Sequence, residues 1–211
     1  MEQVRQEENE KVRKAAALDL HDEFGNGLTR ISMLVEMAKI KFPKGDKETV
    51  KLLDVIAENS ARLYQGTKDF IWSINPGNDN LYEVMIRIKD FGDELLYGTG
   101  TAFEINGLMD EFKDIRQLPG TGRNLTMIFK EALSNIVKHA KAEKIVLTIE
   151  RKDEAVVIRL KDNGKGFDEH NCKQGFGISN MKQRAARIEA MFELISEPGK
   201  GSELILILKT D

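Results

Sequence analysis

From Ala17 the apolar positions run Ala17, Leu20, Phe24, Leu28, Ile31, Val35 and Ala38, in steps of three or four residues. At 100° per residue these seven fall within about 40° of one direction, so the spacing predicts a helix with a single narrow apolar stripe. The polar stretch Glu7–Lys14 extends that helix toward the N-terminus without a breaker, giving a helix from about residue 3 to 41. At 1.5 Å per residue it would be about 60 Å long. Phe42-Pro43-Lys44-Gly45-Asp46 supplies a turn, and a second periodic run follows through Val50, Leu53, Ile56, Ser60, Leu63, Thr67, Phe70 and Ile74. Asn75-Pro76-Gly77 stops it. Two long helices joined by a short turn make an antiparallel hairpin, and a lone hairpin leaves its stripe uncovered. A twofold partner supplies the missing cover, so the pattern implies a homodimer with a four-helix bundle.

The second half changes period. Leu81–Tyr97 reads as helix, Thr101–Asn106 as a short strand and Leu125–His139 as helix. KIVLTIE (144–150) and AVVIRLK (155–161) alternate and are β-branched, hence strands; Ile178–Met191 reads as helix. Phe192–Ser196 and Ser202–Lys209 form a closing hairpin across Glu197-Pro198-Gly199-Lys200-Gly201. Mixed strands and helices over about 130 residues imply an α+β sandwich.

Composition narrows the function classes. The chain has 211 residues, 41% of them hydrophobic, enough for a packed core. Lys plus Arg number 32 against 35 Asp plus Glu, a net charge of −3 that argues against nucleic acid held by phosphate contacts. The single cysteine, Cys172, excludes an intramolecular disulfide and fits a reducing compartment. No apolar run approaches a membrane span.

Three groups of residues could carry chemistry. His21 lies about 60° from the centre of the first stripe, at the edge of the core with its ring able to reach water. Asp22 follows it, and Gly25 and Gly27 interrupt the helix at a cost of about 1 kcal/mol each relative to alanine. Bare backbone beside an accessible imidazole gives a bulky group room to approach, and Asp22 could hold one tautomer and accept a proton. DNGKGF (162–167) ends a strand and GFGISNM (175–181) opens a helix, where glycine-flanked backbone N–H groups can bind phosphate. In EALSNIVKHA (131–140), Glu131 and Asn135 stand four residues apart with Lys138 three further on, all on one helical face. Oxygen donors with a lysine suit a magnesium–triphosphate group. Each group alone has a plainer reading: a surface histidine, a pair of loops, a solvated helix face.

In combination and in this order, HDEFGNGLT, EALSNIVKHA, DNGKGF and GFGISNM resemble the phosphoacceptor, asparagine and two glycine boxes of sensor histidine kinases from two-component signalling. The first box is similar to that of the subfamily reading H-D-x-x-G-Q, which includes nitrate-sensing and membrane-fluidity-sensing kinases. The likeness runs from about Val12 to Leu208. It implies an α plus α/β architecture: residues 1–75 form dimerisation and phosphotransfer helices, 76–80 a linker, and 81–211 an ATP-binding α/β sandwich of the gyrase, Hsp90 and histidine kinase type. It implies ATP and Mg²⁺, with His21 the phosphoacceptor and Asp22 its general base. Asn135 and Glu131 would serve the metal, and Lys138 and His139 the phosphates and ribose. Asp162 would accept from the adenine amino group, with Ser202 beside it. Gly164 and Gly166 would let the chain bend into a lid, Asp168–Gln174, while Gly175 and Gly177 bring backbone N–H groups to the phosphates. A receiver domain of a response regulator would take the phosphoryl group. The protein would then be cytoplasmic, an excised core whose membrane link runs only through a sensor region outside this chain.

The sequence departs from the family at three places, one of them the short, polar lid Asp168–Gln174. Asn26 stands where the family carries the Gln that orients water for phosphatase action, so weak dephosphorylation of the partner is expected of the shorter amide. Ala15–Leu18 replace an Arg-Ile-Ala-Arg run. His170 and Cys172 in the lid receive no role, and Trp72 is read as packing. Two alternatives stay open: an anti-sigma-factor-type serine kinase, which has no use for the helical hairpin, and a non-catalytic dimeric scaffold.

Overall fold

A computed structural model describes residues 2–41, 47–115, 117–168 and 176–209. The expected turn at residues 42–46, the greater part of the lid with His170 and Cys172, and Gly175 after it lie outside them. The chain divides into two units, Met1–Asn78 and Asp79–Asp211.

In the first unit, α1 (Glu2–Leu20) passes through a π-helical turn (His21–Gly25) into α2 (Asn26–Lys41), and α3 (Lys47–Ile74) returns. The antiparallel register shows in two pairs: Lys39 Nζ lies 3.0 Å from Asp54 Oδ1, and Ser32 Oγ donates to Ser60 Oγ at 3.4 Å. The expected single helix is therefore present but locally widened. The wider turn coincides with Gly25, whose missing side chain leaves open space where a Cβ would be. The stripe splits into two seams on α3. Leu53, Ser60, Thr67 and Ile74 are buried or half-buried, whereas Ile56, Leu63 and Phe70, another seven-residue repeat, are exposed. Leu34, Met37 and Ile40 on α2 are exposed as well.

The second unit opens with α4 (Leu81–Leu96), capped by the Asn80 side chain accepting from Glu83 N at 3.0 Å. β1 (Ala102–Asn106), α5 (Thr121–Asn135), a π-helical turn (Ile136–Ala140), β2 (Lys144–Lys152), β3 (Ala155–Asp162), α6 (Phe176–Arg187), β4 (Met191–Glu197) and β5 (Gly201–Lys209) follow. The sheet order is β1-β2-β3-β5-β4, with β1 parallel to β2 and the other pairs antiparallel. One sheet face buries Leu147, Ile149, Val156, Ile158, Leu160, Leu206 and Leu208, and the helices bury Leu81, Met85, Ile88, Leu125, Ile128, Phe129 and Leu133. This is the expected two-layer sandwich. Close packing explains Gly92 in the middle of α4: a Cβ there would stand 2.2 Å from Cε1 of Phe103 on β1.

Two boundaries differ from the pattern reading. α5 begins four residues before Leu125, and α6 ends at Arg187, short of the expected Met191. Glu189 takes a positive φ of 52°, Ala190 N–H bonds back to Ala185 O at 3.0 Å, and Met191 already starts β4.

A nucleotide-type cavity and an exposed histidine

His21 is the first residue of the π-helical turn, and its ring nitrogen Nδ1 lies 3.3 Å from Asp22 Oδ1. Both side chains are open to solvent, at 65% and 78% exposure. With the Nδ1 proton donated to Asp22, the lone pair resides on Nε2, the nitrogen the carboxylate leaves free. Asn26 follows at the start of α2, also exposed. Gly25 and Gly27 have nothing within 4 Å of where a Cβ would sit, so the backbone around the imidazole is clear of side chains.

The second unit holds a cavity of about 430 Å³, within the range of small-molecule sites. α5 and its π-helical end contribute Glu131, Asn135 and His139. In a continuous α-helix, residues i and i+8 diverge by about 80°. The π turn begins at Ile136, and Glu131, Asn135 and His139 all face the cavity. Lys138 is exposed and does not line it. The floor is apolar: Leu160 from β3, Met181 from α6, Leu194 from β4 and Leu204 from β5. Lys165, Gly166 and Phe167 form one edge, and Gly177 and Ser202 complete the polar rim.

Asp162, the last residue of β3, is 2% exposed. Its Oδ1 accepts from Gly164 N at 2.7 Å; its Oδ2 accepts from Ser202 N at 3.2 Å and from the Ser202 hydroxyl. This carboxylate, with three donors, is fixed in direction beside the rim residue Ser202. Gly164 cannot carry a side chain here, because a Cβ would stand 2.4 Å from Ala140 O. At Gly177 a Cβ would stand 2.2 Å from Glu131 Oε1, the movable end of a side chain, so a side chain there would displace the carboxylate rather than the backbone.

The structure thus gathers Glu131, Asn135, His139, Gly166, Gly177 and Ser202 around one cavity and sets Asp162 and Gly164 beside it. Sequence reasoning missed Lys165 and the apolar floor. Lys165 stands inside DNGKGF, where only Asp162, Gly164 and Gly166 carry an expected role. Among the described residues no three His, Cys, Asp or Glu side chains gather as a metal site. The oxygens of Glu131 and Asn135 are hard donors of the kind magnesium takes, two protein ligands with phosphate oxygens and waters completing the shell, so the residues fit that ion.

Fold and cavity together make a two-layer sandwich with a polar-rimmed apolar pocket, preceded in the sequence by a histidine-bearing helical segment. Comparison with known proteins agrees. Residues 120–211 match the family described as histidine kinase-, DNA gyrase B- and HSP90-like ATPase, and residues 12–79 match a histidine kinase family. The sensor histidine kinase LiaS of Bacillus subtilis is 27% identical over 205 residues, covering 91% of this chain and 52% of its own length. The sensor protein VraS of Staphylococcus aureus is 26% identical over 197 residues, covering 92% and 54%. The chain therefore spans about half the length of these relatives. The histidine kinase domain of the blue-light activated kinase EL346 from Erythrobacter litoralis shares the fold, with a TM-score of 0.57 at 12% identity over 87% of this chain and 95% of that one. The Acinetobacter baumannii histidine kinase AdeS gives 0.56 at 12%, covering 87% and 97%. The two family matches, on residues 12–79 and 120–211, together with these relatives support a two-component sensor histidine kinase.

Proposed function

We propose that this chain is an ATP-dependent protein-histidine kinase that phosphorylates itself on His21 and passes the phosphoryl group to an aspartate of a response-regulator receiver domain. The observation that carries this reading is the accessible imidazole paired through Nδ1 with Asp22, in a chain whose other unit holds a polar-rimmed apolar cavity. Adenine lies on the Leu160, Met181 and Leu204 floor, and its amino group donates to Asp162, oriented by Ser202. Glu131 and Asn135 would hold Mg²⁺, and the ion would supply neutralisation of charge on the phosphates. His139 serves the ribose and phosphate end, Gly164 and Gly166 shape the turn, and the Gly177 amide faces phosphate.

In the transfer, the Nε2 lone pair forms a bond to the γ-phosphorus as the bond to the β,γ-bridging oxygen breaks, and ADP leaves with that electron pair. Asp22 takes the Nδ1 proton, so the product is a neutral-ring phosphohistidine. Phosphoryl transfer depends on positioning and charge neutralisation, which suits a mobile nucleotide domain serving an open nucleophile.

The same reading covers the rest of the chain. Residues 1–75 dimerise through the exposed Ile56, Leu63 and Phe70 seam, 76–80 link, and 81–211 bind ATP in the cytoplasm. The HDEFG box supports the H-D-x-x-G-Q group of nitrate and membrane-fluidity sensor kinases, and Asn26 gives weak phosphatase activity toward the receiver. No helix among the described residues is long and apolar enough to cross a membrane. The histidine kinase match on residues 12–79 favours this reading over a serine kinase of the same sandwich fold.

Incubation with γ-labelled ATP and magnesium is the deciding test. Label that survives alkali and is lost in acid marks a phosphoramidate; acid-stable label, or none, overturns the proposal. Gly177→Ala gives a finer check. Alanine suits a helix better than glycine, but its Cβ would displace the Glu131 carboxylate. The variant should melt at or above the parent temperature while labelling at limiting magnesium falls about tenfold, roughly the loss of one charge-assisted contact. Excess magnesium should restore it.

A further inference from the structure

The loop 163–167 does not hold itself in place. Asn163 Oδ1 accepts from Glu143 N at 3.0 Å and Lys144 N at 2.8 Å, and Lys165 N donates to Ala140 O at 2.8 Å. These bonds fix the entrance of the loop. Its exit is fixed by the β4–β5 turn. Phe167 N donates to Ser196 Oγ at 2.9 Å, Ser196 Oγ donates to Gly201 O at 3.1 Å, and Gly199 N donates to Lys165 O at 2.6 Å. The loop and turn meet so closely that Gly166, at φ 59°, has room for no Cβ: one would lie 2.1 Å from Glu197 O.

Lys165, Gly166 and Phe167 line the cavity, whereas Ser196 does not. Beside the direct Gly199–Lys165 bond, the Ser196 hydroxyl therefore relays between the β4–β5 turn and the cavity edge, accepting from Phe167 N and donating to Gly201 O. We infer that Ser196 is a positioning residue of the nucleotide site: it fixes Phe167 and the backbone of Lys165 and Gly166 in the conformation that closes one edge of the nucleotide cavity. The inference rests on the nucleotide-binding reading above. Ser196 touches no nucleotide itself; it acts through the Phe167 amide. Alanine removes the acceptor and leaves that N–H to seek another partner. Threonine keeps the hydroxyl at the same position.

The test uses the full chain and ATP. Ser196→Ala should raise the Kd and the KM for ATP about three- to tenfold, the span of one lost hydrogen bond, with kcat at saturating ATP within about twofold. Ser196→Thr should return both constants to within about twofold of the parent. Amide exchange without nucleotide supplies the direct readout. The Phe167 N–H should be protected in the parent and exchange at least about tenfold faster in Ser196→Ala, while β4 and β5 amides keep their protection. A Phe167 amide exchanging at the free-peptide rate in the parent overturns the inference without any variant. So does an unchanged Kd in Ser196→Ala, or a fall in kcat that matches the rise in KM. A parent chain that binds no ATP sinks the nucleotide reading instead, so the two failures are told apart.

Discussion

His21→Ala should incorporate no phosphoryl label from ATP, a loss of at least about 10³-fold, while binding ATP as tightly as the parent. The first half of that expectation follows from the chemistry. Asp22 can fix a tautomer or accept a proton, but a carboxylate in its place would give an acyl phosphate, labile in both acid and alkali, so residual label would betray itself. The second half follows from the division of the chain: His21 lies in the unit Met1–Asn78, and the cavity residues all lie in Asp79–Asp211. The imidazole is exposed and, among the described residues, bonded only to the still more exposed Asp22 carboxylate, so its removal should leave stability within about 0.5 kcal/mol. Circular dichroism, ATP titration and label counted on the same preparation check the three statements together. Label surviving at parental level in the alanine variant would move the phosphoacceptor elsewhere.

Elements with a strong period were legible because burial and repeat are the same physical fact. α2, α3 and α4 show apolar residues every three or four positions, and β2 and β3 alternate. Boundaries failed where the signal is backbone geometry rather than side-chain chemistry. α5 starts behind Gly120, which takes φ 89° and offers no capping side chain, and its first turn, Thr-Gly-Arg-Asn, is polar. α6 stops through a left-handed Glu189, a residue type that gives no warning of that conformation. The 3₁₀ turn Asp110–Lys113 escaped notice although it buries Phe112 completely, because one aromatic in a polar run has no period. The π turns are equally silent, since they add one residue to a turn without changing which residue types are apolar.

The site divides along the same line. Glu131 and Asn135 could be read from an i, i+4 spacing, and His21 from its neighbours Asp22, Gly25 and Gly27 rather than from its place on the helix. The cavity floor could not. Leu160, Met181, Leu194 and Leu204 come from four separate elements and are the same residue types as the filled core around them. A pattern says which face an apolar side chain is on, and nothing in it distinguishes a face that meets another side chain from one that meets empty space. Lys138 and His139 make the point from the other direction: adjacent in sequence and paired by family likeness, they part at the cavity, which only His139 lines.

Asp162→Asn should cost both nucleotide affinity and fold stability, and the two losses separate a binding role from a structural one. The parent carboxylate faces donors only: Gly164 N on Oδ1, Ser202 N and the Ser202 hydroxyl on Oδ2. A carboxamide has one acceptor. In one orientation its NH₂ meets the Gly164 N–H, in the other the Ser202 N–H, and at 2% exposure no water relieves either conflict. One buried backbone donor is left unpaired, worth about 1–3 kcal/mol, so the melting temperature of the ATP-binding unit should drop by several degrees. Affinity should fall further than that distortion alone requires. Three donors leave the carboxylate about one lone-pair site, free for the adenine amino group that the proposed reading sets against it; the amide would replace it with a weaker acceptor or an opposing donor. A site built to satisfy a ligand's hydrogen bond discriminates strongly when the match is lost, so ATP binding should weaken at least about 100-fold. Calorimetric titration with ATP, paired with thermal melts in its absence, reads both. A variant that melts lower yet binds ATP within about threefold of the parent would leave Asp162 a structural residue of the β3–β5 junction and would return the nucleotide to some other part of the cavity.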